Sequence, residues 1–329
     1  MSRRKWLGAA GAIGLCAGER ILFPARLSAA EASQAVDIGS RRELFVDNFL
    51  IEKLDGARRM LHQPTPREIS LVRNKPWEGN ATSKETVFRD GDIYRMYYRG
   101  RQWMRTGLNG HPTVICYAES RDGITWTKPE LGLFEFNGSK KNNIIWDAKE
   151  TNDFSVFKDP NPECQPEHLY KAVGRTYSPK HGKNTALFAF SSPDGIHWKL
   201  MREEPIASGG AFDSTNLAFW DAARGVYRAY FRGHRGVVRH VRTVTSPDFV
   251  NWSKPEYLKL NSAAADGVSN TPFKPDPTNQ LYTNQIIPYY RAPHILLGFP
   301  TRYVDYGWTE STRNLPGANI RKRRQSGIL

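Results

Sequence analysis

An all-β fold of propeller type is predicted by three features of the sequence. The first is a seven-residue phrase that occurs three times: Ser120-Arg-Asp-Gly-Ile-Thr-Trp126, Ser192-Pro-Asp-Gly-Ile-His-Trp198 and Ser246-Pro-Asp-Phe-Val-Asn-Trp252. The second is its spacing. The tryptophans lie 72 and then 54 residues apart, too far for a horseshoe or helical repeat and far enough for a four-stranded blade with loops. The third is scarce helical periodicity. Short alternating or aromatic runs dominate instead, at residues 94–99, 113–119, 169–175, 186–191, 226–232, 238–245 and 294–299. Turn signals such as Asp90-Gly91, Asp159-Pro160 and Asp194-Gly195 punctuate them.

The elements follow in order. Ser2-Arg3-Arg4-Lys5-Trp6-Leu7 resembles a twin-arginine signal, residues 7–17 are a short apolar and small-residue run, and Ser28-Ala29-Ala30 suits cleavage. Residues 1–35 are therefore expected to be an export signal, which places the mature protein in the periplasm or outside the cell. No other run approaches the ~20 apolar residues of a membrane span. Residues 36–312 are expected to form the propeller. In its first blade, residues 85–100 read as an inner strand, a tight turn and a second strand; residues 113–120 are the third, and the turn at Asp122-Gly123 leads to Trp126 on the outer strand. A second unit runs from about Asp153 to Trp198, and a third from Asp213 through Tyr227-Arg-Ala-Tyr-Phe-Arg-Gly233 to Trp252. A fourth begins near Tyr282, reaches residues 294–299, and lacks the repeat phrase. Residues 313–329 show no strand pattern and are expected to be a disordered basic tail. The propeller is thus expected to be incomplete at its C-terminal blade, since an open blade exposes unpaired backbone groups.

The net charge of +14 is concentrated at the ends: Arg3, Arg4, Lys5, Arg20 and Arg26 near the start, and Arg313, Arg321, Lys322, Arg323 and Arg324 near the finish. What remains is mildly basic, which argues against a nucleic-acid partner. A basic scaffold contacting anionic surfaces through residues 321–324 stays open as a minor alternative. Cys16, Cys116 and Cys164 show no ligand spacing and suggest no metal site. The sequence has no Gly-x-Ser-x-Gly elbow, no His-Glu-x-x-His and no phosphate-binding loop, so no cofactor is expected.

The repeated acids Asp122, Asp194 and Asp248 are read as turn formers, because Asp and Ser bond turn amides while Gly supplies unusual backbone angles. Chemistry is expected elsewhere. Inner strands of a propeller converge on a central funnel, and an acid stands near the start of each of the first three: Glu85, Asp153 and Asp213. Glycoside hydrolysis needs such a set, with one carboxyl as acid, another as base or nucleophile and often a third to tune them. Asp213 lies in Gly209-Gly-Ala-Phe-Asp-Ser-Thr-Asn216, a small and polar segment that lets a ligand approach. Asp47 and Asp159 are reserves, Asp159 more simply a turn residue. Arg99, Arg232 and Arg291 suit hydroxyls or carboxylates of an acidic sugar, or a solvated strand face. Trp103, Trp77 and Tyr290 suit stacking on a sugar ring, or packing between blades. His294 is the histidine of interest.

As a set, several segments resemble a known family: Glu43-Leu-Phe-Val-Asp-Asn-Phe-Leu-Ile-Glu52, residues 84–100, residues 117–126 with Lys128-Pro-Glu-Leu-Gly-Leu133, residues 211–220, and Leu281-Tyr-Thr-Asn284 with residues 291–300. They look like the glycosidase-like five-bladed β-propeller proteins abundant in planctomycete-type bacteria. More distantly they are similar to the arabinanase/xylosidase and invertase superfamily. The resemblance covers about residues 40–303 and implies five blades, a carbohydrate substrate and a catalytic funnel. By position, Glu85 falls at the first-blade base or nucleophile, Asp153 at the second-blade tuning acid and Asp213 at the third-blade general acid. Arg99, Trp103, Arg232, Asn284, Arg291 and His294 are the expected substrate contacts. The superfamily order is Asp, Asp, Glu; here it is Glu, Asp, Asp. The leading expectation is an exported glycoside hydrolase, and the alternative is a non-catalytic glycan-binding propeller.

Overall fold

The repeat phrase turns each of three antiparallel sheets toward its outer edge. The computed structural model describes residues 36–103, 110–147, 153–178, 182–262, 271–273, 275–277, 279–304, 310–314 and 327–328. The chain divides into two units, Met1–Thr65 with Asn261–Pro272 and Pro66–Leu260 with Phe273–Leu329. Where described, residues 36–65 of the first unit are loops; Arg59 ties two of them by donating to the Val46 carbonyl and to Asn48 Oδ1, each at 2.7 Å. The expected export segment, residues 1–35, lies outside the described residues, as does the basic cluster at 321–324.

The four-stranded sheets belong to the second unit. The first contains β1 (Ser83–Asp90), β2 (Ile93–Gln102), β3 (His111–Ser120) and β4 (Ile144–Asp147). The second contains β5 (Phe154–Lys158), β6 (Tyr170–Ser178), β7 (Gly182–Ser192) and β8 (Lys199–Leu200). The third contains β9 (Leu217–Asp221), β10 (Val226–Arg235), β11 (Val238–Ser246) and β12 (Glu256–Tyr257). Each is a meander in chain order, and β1, β5 and β9 pack one on the next, as inner strands of successive blades do. Smaller pairings follow. β13 (Leu260–Ser262) pairs with β14 (Thr271–Phe273), and β15 (Gln280–Leu281) with β18 (Arg302–Val304), which also pairs with β19 (Gly327–Ile328). β16 (Ile287–Tyr289) and β17 (Ala292–Leu297) form a hairpin. Among the described residues three sheets have four strands, and no helix is long and apolar enough to cross a membrane.

Alternation along the strands binds the sheets face to face. In β7, Ala186, Phe188 and Phe190 join Tyr97, Ile115 and Tyr117 of the first sheet. Leu187 and Ala189 between them turn the other way, toward Phe212, Phe231, Val244 and Phe249. A strand buried on both faces must be apolar throughout, which explains the run at 186–190.

In every copy of the phrase the Asp carboxylate accepts from the Ser hydroxyl and from the amides two and three residues on. Each Trp indole donates to the carbonyl three residues back, at 3.0–3.2 Å. The glycine position needs a left-handed backbone, with φ of 76° at Gly123 and 79° at Gly195. Phe249 adopts it too, at 66°.

The first sheet departs from expectation. Its outer strand is Ile144–Asp147, and the Trp126 segment contributes only a bridge between Thr127 and Glu119. Residues 128–143 intervene, and Asn142 folds them back by donating to the Phe134 and Ser139 carbonyls. Asn143 then locks the returning chain to the Tyr98 hydroxyl and the Tyr117 carbonyl. Cys116 and Cys164 are free thiols.

A second repeat was not anticipated. Asp90 closes β1 and Asp159 follows β5. The tyrosine near the start of the next sheet's second strand donates to each, Tyr170 to Asp90 and Tyr227 to Asp159, both at 2.6 Å. The basic residue near the start of the acid's own second strand completes the group: Arg95 on Asp90, Lys171 on Asp159 and Arg228 on Asp221. Asp159 is therefore a buried tie between sheets.

Candidate functional site

The entry into β1 is irregular. Pairing with β2 slips between Ser83 and Thr86, and Lys84 takes a left-handed backbone with φ of 67°. Such a slip re-aims a side chain. Here it brings Lys84 Nζ within 3.6 Å of Asp153 Oδ1. Arg99, opposite Ser83 in β2, places Nη1 at the same 3.6 Å and donates from Nη2 to Ser83 Oγ at 2.7 Å. Asp153 stands just before β5, where its carbonyl accepts the Arg175 amide at 3.1 Å. Its side chain is 3% exposed. Burial pushes the Asp153 carboxyl up, against the pull of Lys84, Arg99 and Arg175. Burial likewise pushes Lys84 down; Asp153 opposes this, while Arg99 and Arg232 add to it. Desolvation thus favours the neutral form of each, and their attraction favours the ion pair.

The third sheet supplies Asp213 from a braced loop. Phe212 is buried against Phe231, with centroids 5.1 Å apart. The Ala211 amide bonds the Arg232 carbonyl at 3.0 Å. Asn216 donates to the Phe212 and Ser214 carbonyls, the Ser214 hydroxyl to the Tyr282 carbonyl, and Asn284 to the Thr215 carbonyl. With both neighbours fixed, Asp213 presents a carboxylate that is 62% exposed and accepts from Arg232 Nη2. Arg232 lies over the Tyr282 ring, 5.0 Å from its centroid. His234, two residues along β10, is pushed down by burial and by Arg232 and Arg239, with Asp213 opposing. Because Arg232 also acts on Lys84, groups from all three sheets share one electrostatic field.

The expected residues separate accordingly. Asp153 meets Arg99, Asp213 meets Arg232, and buried Asn284 holds the Asp213 loop from behind. Glu85 takes another direction: it is 39% exposed and ion-paired with Arg73, while its neighbour Lys84 faces Asp153. Trp103 is 56% exposed, with Arg101 4.3 Å over its ring and Asn80 bonding its backbone amide and carbonyl. Arg101 in turn feels Arg99, Arg175 and Asp153. Arg291 sits at the exposed turn before β17, 5.6 Å from the Tyr290 ring, and His294 is half-buried on β17.

Lys84, Arg101 and Arg175 were missed. A signal existed in Tyr98-Arg99-Gly100, Gly174-Arg175 and Phe231-Arg232-Gly233, which put an arginine at the same end of the second strand in each four-stranded sheet. Gly100 is required because a Cβ there would lie 2.4 Å from the Trp77 carbonyl oxygen. Among the described residues no group of three or more His, Cys, Asp or Glu is placed to hold a metal ion.

No family model matches the chain. A stretch of 136 residues is 28% identical to the uncharacterized protein Rv1502 of Mycobacterium tuberculosis, covering 40% of this chain and 39% of that protein. The match thus spans about two fifths of the relative's length. Among solved structures the chain is similar to a glycosyl hydrolase from Bacteroides ovatus, at 14% identity over 71% of this chain and 63% of that one, with a TM-score of 0.41. It is also similar to a family 32 β-fructofuranosidase from Bombyx mori, at 13% identity over 67% and 42%, with a TM-score of 0.42. Likeness at this level carries no inference; fold and site rest on the chain's own geometry.

Proposed function

We propose that the chain is an exported glycoside hydrolase-like protein that cleaves glycosidic bonds of an oligosaccharide or polysaccharide. One observation carries this reading: the inner ends of three consecutive sheets contribute to a single charged cluster that contains Asp153 and Asp213. Hydrolysis asks for a group that gives a proton to the leaving oxygen and a second that activates water or attacks the anomeric carbon. In this reading accessible Asp213 takes the first role, as Arg232 shifts its hydrogen bond onto the bound sugar. For the second the chain offers Glu85, which must leave Arg73 and swing round from the face opposite Lys84 to reach a sugar held at Asp213. Asp153 is held by Lys84 and Arg99 and acts through them as a positioning residue. The test is sugar release by Asp213→Asn and Glu85→Gln proteins that still melt cooperatively. Each loss is expected to be on the order of 100-fold or more; release at the parent rate from Asp213→Asn would contradict the assignment.

A specific observation favours a second reading. Both accessible carboxylates are already engaged by arginines, Glu85 by Arg73 and Asp213 by Arg232, an arrangement sufficient for a glycan-binding protein without turnover. Saturable sugar binding with no product from the parent chain would select it.

A further inference from the structure

We infer that the cluster binds a sugar bearing an oxyanion, a carboxylate or a sulfate ester, with Arg232 and Arg99 as its principal partners. The inference rests on the carbohydrate reading above and names the class of sugar.

The argument begins with charge. Among the described residues Lys84, Arg99, Arg175 and Arg232 share one field with the carboxylates of Asp153 and Asp213. Such an excess, partly withdrawn from water, repels itself unless an anion joins it. Neutral hydroxyls supply no compensating charge.

Hydrogen bonding points the same way. Arg232 is buried, at 4% exposure, and of its guanidinium nitrogens only Nη2 has a partner, Asp213; Nε and Nη1 are buried with none. Arg99 Nε is in the same condition, as is Asp153 Oδ1. Buried donors without acceptors are unusual and costly. A guanidinium presents its N–H groups in planar forks that match two oxygens of a carboxylate or sulfate, and each fork of Arg232 joins Nη2 to one of the two unpartnered nitrogens.

Position completes the case. The arginines come from equivalent ends of the second strands, Arg99 on β2, Arg175 on β6 and Arg232 on β10. The exposed Trp103 ring stands beside Arg101, which lies in the same field, so a face for stacking adjoins the charged centre. An oxyanion on one face of a sugar and an apolar ring face on the other would use both.

The test is calorimetric titration of the full chain. The probes are an oligogalacturonate, its carboxyl-reduced counterpart, a sulfated galactan oligosaccharide, its desulfated counterpart, and inorganic sulfate. At least one anionic oligosaccharide is expected to bind tenfold or more tightly than its neutral counterpart, with affinity falling as salt rises. Arg232→Gln should abolish that preference. Arg175→Gln, at a half-buried position, should reduce it severalfold in a protein that melts as the parent does, so the question stays answerable if the first variant misfolds. Equal affinity for charged and neutral partners overturns the inference, as does a preference that survives both substitutions. Binding or cleavage of neutral sugars without preference overturns the inference and leaves the glycosidase reading standing. Binding of inorganic sulfate as tightly as the sulfated oligosaccharide overturns the inference, because the sugar would then contribute nothing, and leaves the glycosidase reading to be judged by sugar release.

Discussion

Phe249 is where the third repeat trades backbone ease for packing. Glycine fills the equivalent place in the other two copies, yet Phe249 takes the same left-handed conformation, with φ of 66°. Its ring is fully buried and lies 5.2 Å from Tyr227, 5.4 Å from Trp252 and 5.6 Å from Phe157, centroid to centroid. Phe249→Gly would relieve a left-handed residue, a gain of about 1–2 kcal/mol. It would also empty a buried phenyl site, at about 3–5 kcal/mol for a phenyl truncation. Packing should win, leaving the variant less stable by about 2.5 kcal/mol. The assay is urea denaturation followed by tryptophan fluorescence, with a lower midpoint at unchanged slope expected. A midpoint equal to the parent's, or above it, would show that strain outweighs the core at this turn and would refute the packing argument.

Two further outcomes follow from the ties between sheets and turns. Tyr227→Phe removes the hydroxyl that donates to buried Asp159 at 2.6 Å and accepts from Asn161 at 3.0 Å; urea denaturation should show a loss of about 1–3 kcal/mol, and no loss would deny the tie its role. In acid, Asp248 is the group to follow. Burial works against it, but the amides of Asn251 and Val250, with the Asn251 and Ser246 side chains, hold it down to about 2 from an ordinary 3.8. Asp122 and Asp194 are lowered in the same setting. A depressed carboxylate stabilises the fold fully above its unfolded value and loses that contribution as pH falls through its folded value. Stability should therefore drop between about pH 4 and 2, and Asp248→Asn should drop less over that window; an equal drop in both proteins would contradict the argument.

The sheets were legible because their signals are local. The turn chemistry of Ser-x-Asp-Gly-x-x-Trp depends on residues within six positions, and the two-sided burial of β7 is written directly as Ala-Leu-Phe-Ala-Phe. The outer strand of the first sheet was misplaced because residues 128–143 separate Trp126 from Ile144–Asp147. That return is set by Asn142 and Asn143, whose partners lie up to 66 residues away. The Tyr–Asp ties span 80 and 68 residues and were invisible for the same reason. At the site, Asp153 and Asp213 stood out as acids before inner strands, and Arg99 and Arg232 as strand arginines. Lys84 was overlooked in favour of Glu85. An alternating strand makes neighbours face opposite ways, and a backbone slip at Ser83–Thr86 decided which of the two faced Asp153. Sequence pattern does not register such a slip.

The central claim, that this cluster cuts glycosidic bonds, is tested most directly by new reducing ends. The purified full chain, shown to melt cooperatively, would be incubated with a panel of neutral, carboxylated and sulfated polysaccharides. The account predicts that at least one polymer yields reducing ends in proportion to time and protein. A folded chain that releases none from any member of the panel would contradict it.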